Sequence, residues 1–147
     1  MPRATAMHEV IVDASVAIKW YTPEVRHANA KALLGLADTI FAPELIVSEV
    51  TNAAWAKARR GEISEQVAGL IAAWIGSGVP ALVPATELNE HALQIALALQ
   101  HPAYDCMYLA CAARESAPLV TDDRRLLTAV GRGAWRDQVI ALESVSP

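Results

Sequence analysis

The chain has 147 residues, of which 54% are hydrophobic and 19% charged, and its formal net charge is −4. This length fits one domain over residues 1–147 with a sizeable core, and the composition excludes a disordered chain. The acidic balance argues against a surface that binds nucleic acid by neutralising phosphates alone, so any such binding must be local or assisted by a metal ion. No apolar run approaches the ~20 residues that span a bilayer, so we expect a cytoplasmic protein. The surplus of aliphatic residues predicts an oligomer.

Short strands alternate with helices along the chain. Residues 1–7 carry no periodicity and are predicted to form a loose tail. Short apolar runs predict five strands, at residues 9–12, 39–42, 81–83, 119–120 and 139–142. Helical spacing predicts helices at residues 14–21, 24–36, 43–60, 65–75, 87–100, 103–115 and 123–130, with Pro43 as a first helical residue and Ser64 and Thr86 as N-caps.

This alternation predicts an α/β fold, with a parallel sheet between helices and right-handed crossovers. The sequence contains no GxGxxG, P-loop or GxSxG motif, so dinucleotide binding, ordinary nucleotide binding and α/β-hydrolase chemistry lose their usual support. Cys106 and Cys111 lie in the almost wholly apolar helix 103–115. We therefore expect both cysteines to be reduced core residues.

Four carboxylates occur where the pattern calls for apolar or capping residues. Asp13 ends the first strand, Glu49 lies within helix 43–60, Asp105 opens helix 103–115 and Asp123 follows the fourth strand. A buried carboxylate is costly unless it is paired, neutralised or bound to a metal, and no matching buried lysine or arginine is evident. Two carboxylates about 4 Å apart repel by roughly 4 kcal/mol at an effective dielectric of 20. A shared hard cation such as Mg²⁺ or Mn²⁺ would relieve all four.

Each of these acids also has a purely structural interpretation. Asp13 and Asp123 could be helix N-caps, Glu49 could face solvent, and Asp105 could complement the positive end of its helix. Three polar neighbours could orient ligands or water, or could be ordinary caps and surface residues: Ser15, Asn52 and Thr121. The sequence alone leaves these alternatives open.

Four motifs in a fixed order carry a resemblance to a known family. They are Val-Asp-Ala-Ser-Val with Lys19-Trp20, Pro43-Glu44-Leu45 leading into Glu49, Tyr104-Asp105, and Leu-Val-Thr-Asp-Asp-Arg-Arg-Leu over residues 119–126. Over residues 9–142 the chain resembles the PIN-domain ribonucleases, specifically the VapC toxins of prokaryotic toxin–antitoxin pairs. The resemblance implies a PIN-like doubly wound, mainly parallel, short-stranded sheet flanked by helices. It also implies that Mg²⁺ or Mn²⁺ binds at Asp13, Glu49, Asp105 and Asp123.

The functional hypothesis is a metal-dependent endoribonuclease, the toxin of a type II toxin–antitoxin system. In it, the four acids hold one or two ions, and a metal-activated water attacks the RNA phosphodiester. The resemblance further implies a 5′-phosphate product, a homodimer, and inhibition by a small antitoxin protein whose segment fills the groove at the acids. One alternative is a PIN-like module that binds RNA or a partner without cleaving. Another is a phosphatase of the haloacid dehalogenase type, which normally has a second Asp where this chain has Ser15.

The last motif departs from the family pattern at Asp122, where the family usually has a small residue. We assign the family acid to Asp123 because Arg124, Arg125 and Leu126 follow it in the usual spacing. Asp122 could be an extra ligand or a helix cap.

Basic side chains and histidines could add to such a site. Arg124 and Arg125 lie beside the proposed acids and could contact phosphate. A second basic cluster is expected to be a solvated face: Lys57, Arg59 and Arg60. No ligand spacing is evident among the four histidines, which are therefore not expected to bind metal: His8, His27, His91 and His101.

Overall fold

The computed structural model describes residues 7–78, 80–131 and 133–147. Its five strands pair in parallel to form one sheet in the order β3-β2-β1-β4-β5. The strands are β1 (Met7–Val12), β2 (Ala37–Pro43), β3 (Ala81–Val83), β4 (Leu119–Thr121) and β5 (Val139–Ala141). The predicted α/β architecture with a short-stranded parallel sheet is confirmed.

Seven α-helices flank this sheet in the described part of the chain. They are α1 (Ala14–Ala17), α2 (His27–Leu36), α3 (Leu45–Arg59), α4 (Glu65–Ser77), α5 (Asn89–Leu99), α6 (Ala103–Glu115) and α7 (Arg124–Val130). Short 3₁₀ turns occur at Ile18–Trp20, Ala85–Glu87, Arg136–Gln138 and Leu142–Ser144. In these described residues, no helix is long and apolar enough to cross a membrane.

The core is centred on β1 and α6. Val10, Ile11 and Val12 are fully buried, as expected for a central parallel strand with both faces covered. Helix α6 contributes seven consecutive buried residues, from Cys106 to Ala112, which confirms the prediction of a helix inside the core. Both cysteines are buried and free.

Three predicted element boundaries are wrong. Pro43 is the last residue of β2 and not the first of a helix, and α3 begins only at Leu45. The strand extends to Pro43 because that residue still pairs with Val83, the last residue of β3. Helix α2 begins at His27 because Arg26 adopts a left-handed conformation, with φ of 64°. Thr86 caps no helix, since it lies in a 3₁₀ turn, and α5 starts at Asn89.

Two further predictions concern helix and chain starts. Ser64 is the N-cap of α4, as predicted, and its hydroxyl accepts a hydrogen bond from the Val67 amide. The predicted tail at residues 1–7 falls outside the described residues except for Met7, which opens β1.

Candidate active site

The strand order reverses between β1 and β4. From β1 the chain proceeds outward to β2 and β3, and it then returns to the other side of β1 to form β4 and β5. In open parallel sheets such a reversal leaves a crevice at the carboxyl ends of the two strands, which is where ligands bind. Asp13 follows β1 and Asp123 follows β4, so both acids stand at this crevice.

Asp13 is a buried carboxylate, only 6% exposed, with both oxygens hydrogen-bonded. Its Oδ1 accepts from the Ser15 hydroxyl at 2.5 Å and from the Val16 amide at 3.3 Å, while its Oδ2 accepts from the Thr121 hydroxyl. The Val16 bond makes Asp13 the N-cap of α1. Capping and burial at the crevice therefore coexist at this residue.

Asp123 is the N-cap of α7. Its Oδ1 accepts from the amides of Arg125 and Leu126, at 2.9 and 3.3 Å. The Asp123 amide in turn donates to Thr121 Oγ1 at 3.0 Å. Since the Thr121 hydroxyl also donates to Asp13, this fully buried threonine links the two acids. Thr121 is thus positioned to orient the Asp13 carboxylate.

Glu49 is held by a tyrosine from the core. The Tyr108 hydroxyl on α6 donates to Glu49 Oε1 at 3.2 Å. Burial raises the pKa of Tyr108 far above its usual range, and the neighbouring charge of Glu49 raises it further, so the hydroxyl remains a donor. Tyr108 belongs to the apolar helix predicted at residues 103–115, but sequence reasoning missed this contact. Its position three residues after Asp105 on that helix is a local signal that could have indicated it.

Asp105 has a histidine partner that sequence reasoning also missed. Its Oδ2 lies 2.7 Å from His101 Nε2, and the His101 side chain is only 11% exposed. The histidine precedes Asp105 by four residues, across Pro102. A histidine in contact with a carboxylate fixes its orientation, so His101 can orient Asp105 without being a metal ligand itself.

The four acids influence one another electrostatically. Burial raises the pKa of Asp13 to about 6; hydrogen bonds from Ser15 and Thr121 oppose this rise, and the charge of Asp123 adds to it. Burial likewise raises the pKa of Glu49 to about 7, against the hydrogen bond from Tyr108 and with the charges of Asp13, Asp105 and Asp123 adding to the rise. The four carboxylates therefore form one cluster of like charge, termed the acid cluster below.

The donor set of the acid cluster suits a hard, hydrated cation. Across residues 7–78, 80–131 and 133–147, no three Asp, Glu, His or Cys side chains stand close enough to enclose a bare ion. Mg²⁺ nevertheless keeps several of its waters, which can bridge to more distant carboxylates. A cation here would also relieve the like-charge repulsion that adds to the effect of burial on the pKa of Glu49. The residues therefore suit a divalent cation held partly through water.

Asp122 is neither a helix cap nor a member of the acid cluster. Its side chain, 6% exposed, pairs with Arg26 Nε at 2.8 Å and with Lys19 Nζ at 3.4 Å. Lys19 is a buried cation, with its side chain only 9% exposed. Its carboxylate partners are Asp122 and Glu24, outside the acid cluster.

The basic side chains are partly committed to other carboxylates. Arg124 pairs with Glu143 at 3.2 Å, and both Lys57 and Arg60 pair with Glu62. Arg125 is exposed next to Asp123, and Asn52 is exposed on α3. Arg59 and Arg60 are exposed, in agreement with the prediction of a solvated face. The prediction is wrong for Lys57, whose side chain is only 14% exposed and pairs with Glu24 as well as Glu62. Among the described contacts, Arg125 is the more available of the two arginines beside the acids.

Comparison with known proteins decides the family. The family model described as "PIN domain" matches residues 10–132. This chain belongs to the PIN-domain family. The match extends from the middle of β1 to just beyond α7, so it includes all four residues of the acid cluster.

Two proteins from Pyrobaculum aerophilum are similar to this PIN-domain chain. Ribonuclease VapC3 is 32% identical over 120 residues, which cover 80% of this chain and 92% of the relative. The crystal structure of PAE2754 superposes with a TM-score of 0.70 at 24% identity, covering 97% of this chain and 90% of that one. The first similarity places the chain with the VapC-type PIN-domain proteins, and the second supports the fold.

Proposed function

We propose that the chain is a Mg²⁺- or Mn²⁺-dependent endoribonuclease and the toxin of a type II toxin–antitoxin system. The observation that carries the proposal is the acid cluster, which lies at the sheet's strand-order reversal in a chain similar to Ribonuclease VapC3. Asp13, Glu49, Asp105 and Asp123 are the proposed catalytic and metal-binding residues. The proposal places the protein in the cytoplasm with its RNA substrate.

Three of the acids keep one oxygen available. Within the described residues, hydrogen bonds engage only Oε1 of Glu49, Oδ2 of Asp105 and Oδ1 of Asp123. The remaining oxygen of each can hold a cation or one of its waters, while the engaged oxygen fixes the orientation of the carboxylate. When bound, the cation supplies Lewis-acid stabilisation of phosphate charge and lowers the pKa of a coordinated water.

The chain's own residues prepare the site for an anionic substrate. Ser15 and Thr121 hold Asp13 from two directions, so this acid needs no rearrangement to serve the cluster. Exposed Arg125 can contact a neighbouring RNA phosphate at the crevice. No side-chain nucleophile is required, because water is the attacking group and the expected product carries a 5′-phosphate.

We propose a homodimer that forms through an apolar face of α5 and the start of α6. Leu93 and Leu97 lie four residues apart on α5 and are 54% and 72% exposed, and Tyr104 is 70% exposed. Leu82 on β3 is 39% exposed and lines one cavity with Tyr104. The proposal takes these four side chains as one apolar patch that a monomer would leave in water. A second copy covering this patch agrees with the surplus of aliphatic residues.

A small antitoxin protein is the proposed inhibitor, with a segment that covers the acid cluster. A basic side chain of that segment would satisfy the carboxylates in place of a cation. Co-expression with the protein encoded next to this chain's gene should therefore yield a complex without ribonuclease activity. A neighbour that leaves the activity intact would contradict this pairing.

Incubation with RNA separates this proposal from its two rivals. The purified protein should cleave a mixture of cellular RNAs with Mg²⁺ or Mn²⁺, lose this activity in EDTA, and leave 5′-phosphate ends. It should not hydrolyse p-nitrophenyl phosphate, the substrate that a haloacid-dehalogenase-type phosphatase would use. Bound but intact RNA in Mn²⁺ would instead identify a non-cleaving RNA-binding module.

A further inference from the structure

Asp122 is the buried centre of an ion-pair network. Besides Arg26 and Lys19, its carboxylate faces Arg124, whose Nη2 lies 3.7 Å from Oδ1. Both carboxylate oxygens are thus directed at cations of the chain, which leaves neither oriented for a metal ion. The helix-capping role belongs to Asp123. Neither role considered for Asp122 on sequence grounds accounts for its burial.

The network extends from Asp122 to α3. Lys19 also pairs with Glu24 at 2.8 Å, and Glu24 pairs with Lys57 of α3 at 2.6 Å. Its members come from the turn after α1, the loop before α2, helix α3 and the β4–α7 turn. Asp13 caps α1, Glu49 lies on α3 and Asp123 caps α7, so the network connects the elements that carry three residues of the acid cluster.

The backbone of Asp122 also takes part in the acid cluster. Its amide donates to Ser15 Oγ at 2.9 Å, and the Ser15 hydroxyl donates to Asp13 Oδ1. One residue later, the Asp123 amide donates to Thr121 Oγ1, whose hydroxyl donates to Asp13 Oδ2. The position of the backbone at Asp122 and Asp123 therefore fixes the positions of the Ser15 and Thr121 hydroxyls, which both donate to Asp13.

Arg26, the partner of Asp122, has an unusual backbone conformation. Its φ of 64° and ψ of 20° lie in the left-handed region, which is sterically unfavourable for a residue other than glycine. Such conformations persist where the surrounding contacts determine them. Arg26 both begins α2, through its carbonyl bond from Ala30, and pairs with Asp122.

We propose that Asp122 is a positioning residue that, through its ion pairs with Arg26 and Lys19, holds the β4–α7 turn and thereby the acid cluster. The inference rests on the proposed cation-dependent function, but it concerns geometry that can be measured without RNA. It also accounts for an acid at a position where the family usually has a small residue: the charge of Asp122 matches those of buried Lys19 and partly buried Arg26 in this chain.

The direction in which Arg26→Gln changes the binding of a divalent cation distinguishes a positioning role from a simple charge effect. Arg26→Gln removes a positive charge near the acid cluster, so through-space electrostatics alone would strengthen the binding of a divalent cation. Positioning requires the opposite, because loss of the ion pair releases the β4–α7 turn. Asp122→Asn should weaken cation binding in either case, and Arg26→Gln is therefore the decisive variant.

The experiment measures Mn²⁺ affinity by electron paramagnetic resonance and amide exchange by NMR, both on the full chain without RNA. We expect Asp122→Asn and Arg26→Gln each to weaken Mn²⁺ binding about 10-fold, the scale seen when partners of metal ligands are removed. Arg26→Lys should recover part of that loss. In the first two variants, the amides of Asp122 and Asp123 should exchange about 10-fold faster, since their bonds to Ser15 and Thr121 open more often.

Two controls accompany these variants. The Ile11 amide, bonded to the Pro118 carbonyl between β1 and β4, should keep its exchange rate. Glu87→Gln removes an exposed carboxylate that pairs with Arg114 elsewhere, and it should change neither measurement. Should Asp122→Asn fail to fold, Arg26→Gln and Arg26→Lys carry the test alone.

Stronger Mn²⁺ binding by Arg26→Gln would overturn the inference, and so would unchanged exchange of the Asp122 and Asp123 amides. The exchange result decides the matter even if the protein binds no Mn²⁺. Wild-type protein that fails to cleave RNA, but shows the expected exchange pattern, would contradict the proposed function and leave the positioning role supported.

Discussion

Burial and mutual repulsion oppose ionisation of Asp13 and Glu49 in the folded chain, where their pKa values are raised to about 6 and about 7. In the unfolded chain both carboxyls ionise near pH 4. A group whose folded pKa is raised in this way contributes stability at low pH that is lost as the pH rises through the folded value. The metal-free protein should therefore lose stability between about pH 4 and about pH 7.

Removing one of these charges should stabilise the metal-free protein. Glu49→Gln is expected to raise the free energy of unfolding at pH 8 by about 1–3 kcal/mol, because it removes a carboxylate whose ionisation the folded chain opposes. Solvent screening of this partly exposed side chain keeps the effect at the lower end of what the pKa shift alone would give. Its advantage over the wild type should vanish near pH 4. Urea unfolding at both pH values in EDTA measures the difference. A variant less stable than the wild type at pH 8 would show that Glu49 is not under electrostatic strain.

Tyr108 permits a separate test of orientation in the acid cluster. Tyr108→Phe removes the hydrogen bond to Glu49 Oε1 while preserving most of the buried ring. We expect Mg²⁺-dependent RNA cleavage to fall about 10-fold, with the midpoint of activation shifted to higher Mg²⁺ concentration. Tyr104→Phe, which alters an exposed tyrosine four residues earlier, is the matched control. Equal activity in both variants would show that the hydrogen bond from Tyr108 does not contribute to cleavage.

Among the elements around the site, Glu24 fixes the loop that connects the 3₁₀ turn at Ile18–Trp20 to α2. Burial raises the pKa of Glu24, but hydrogen bonds from Lys19, Lys57 and Thr22 outweigh it and lower the pKa to about 2. A lowered folded pKa contributes stability that is present above the unfolded value and is lost as the pH falls toward the folded one. Glu24 should thus stabilise the chain at neutral pH and cease to do so near pH 2.

Glu24→Gln should reproduce this loss without acid. The expected decrease in the free energy of unfolding at pH 7 is on the order of 1–3 kcal/mol, and the difference from the wild type should disappear as the pH approaches 2. Guanidinium unfolding across this range provides the measurement. A pH-independent difference would mean that lost packing, rather than lost charge, accounts for the decrease.

The elements that sequence predicted best are those whose signals are local. Helix α6 appears with its predicted bounds because an apolar run after Pro102 leaves few alternatives. The start of α2 was missed because the left-handed conformation of Arg26 accompanies an ion pair with Asp122, 96 residues away. Pro43 was misplaced because its last strand position depends on pairing with β3. Long-range contacts of this kind leave no periodic trace.

The same division holds in the acid cluster. Asp13, Glu49, Asp105 and Asp123 were proposed as site residues because they are acids in apolar surroundings and because of a family resemblance, and that role stays a prediction. The partners Tyr108 and His101 were missed because an apolar helix with one hydroxyl, and a histidine before a proline, are ordinary core and loop patterns. The ion pairs of Asp122 were not anticipated because they depend on two cations from the first 26 residues.

At the scale of the whole molecule, the apolar face of α5 governs the proposed assembly. Leu97→Glu places a charge at the most exposed leucine of that face. We expect it to convert a dimer into a monomer in size-exclusion chromatography with light scattering, and to leave the circular dichroism spectrum unchanged. Leu70→Glu, on α4, is the control for an exposed leucine elsewhere. A dimer that withstands Leu97→Glu would require another interface.

We propose that the acid cluster binds a divalent cation and cleaves RNA with it. The most direct measurement is Mn²⁺-dependent cleavage of RNA by Asp13→Asn, beside Asp137→Asn, which changes an exposed aspartate outside the cluster. The variant of Asp13 should retain the fold, bind Mn²⁺ more weakly and lose cleavage by at least about 100-fold. The control should cleave like the wild type. Undiminished cleavage by Asp13→Asn, in a preparation free of other nucleases, would contradict the claim.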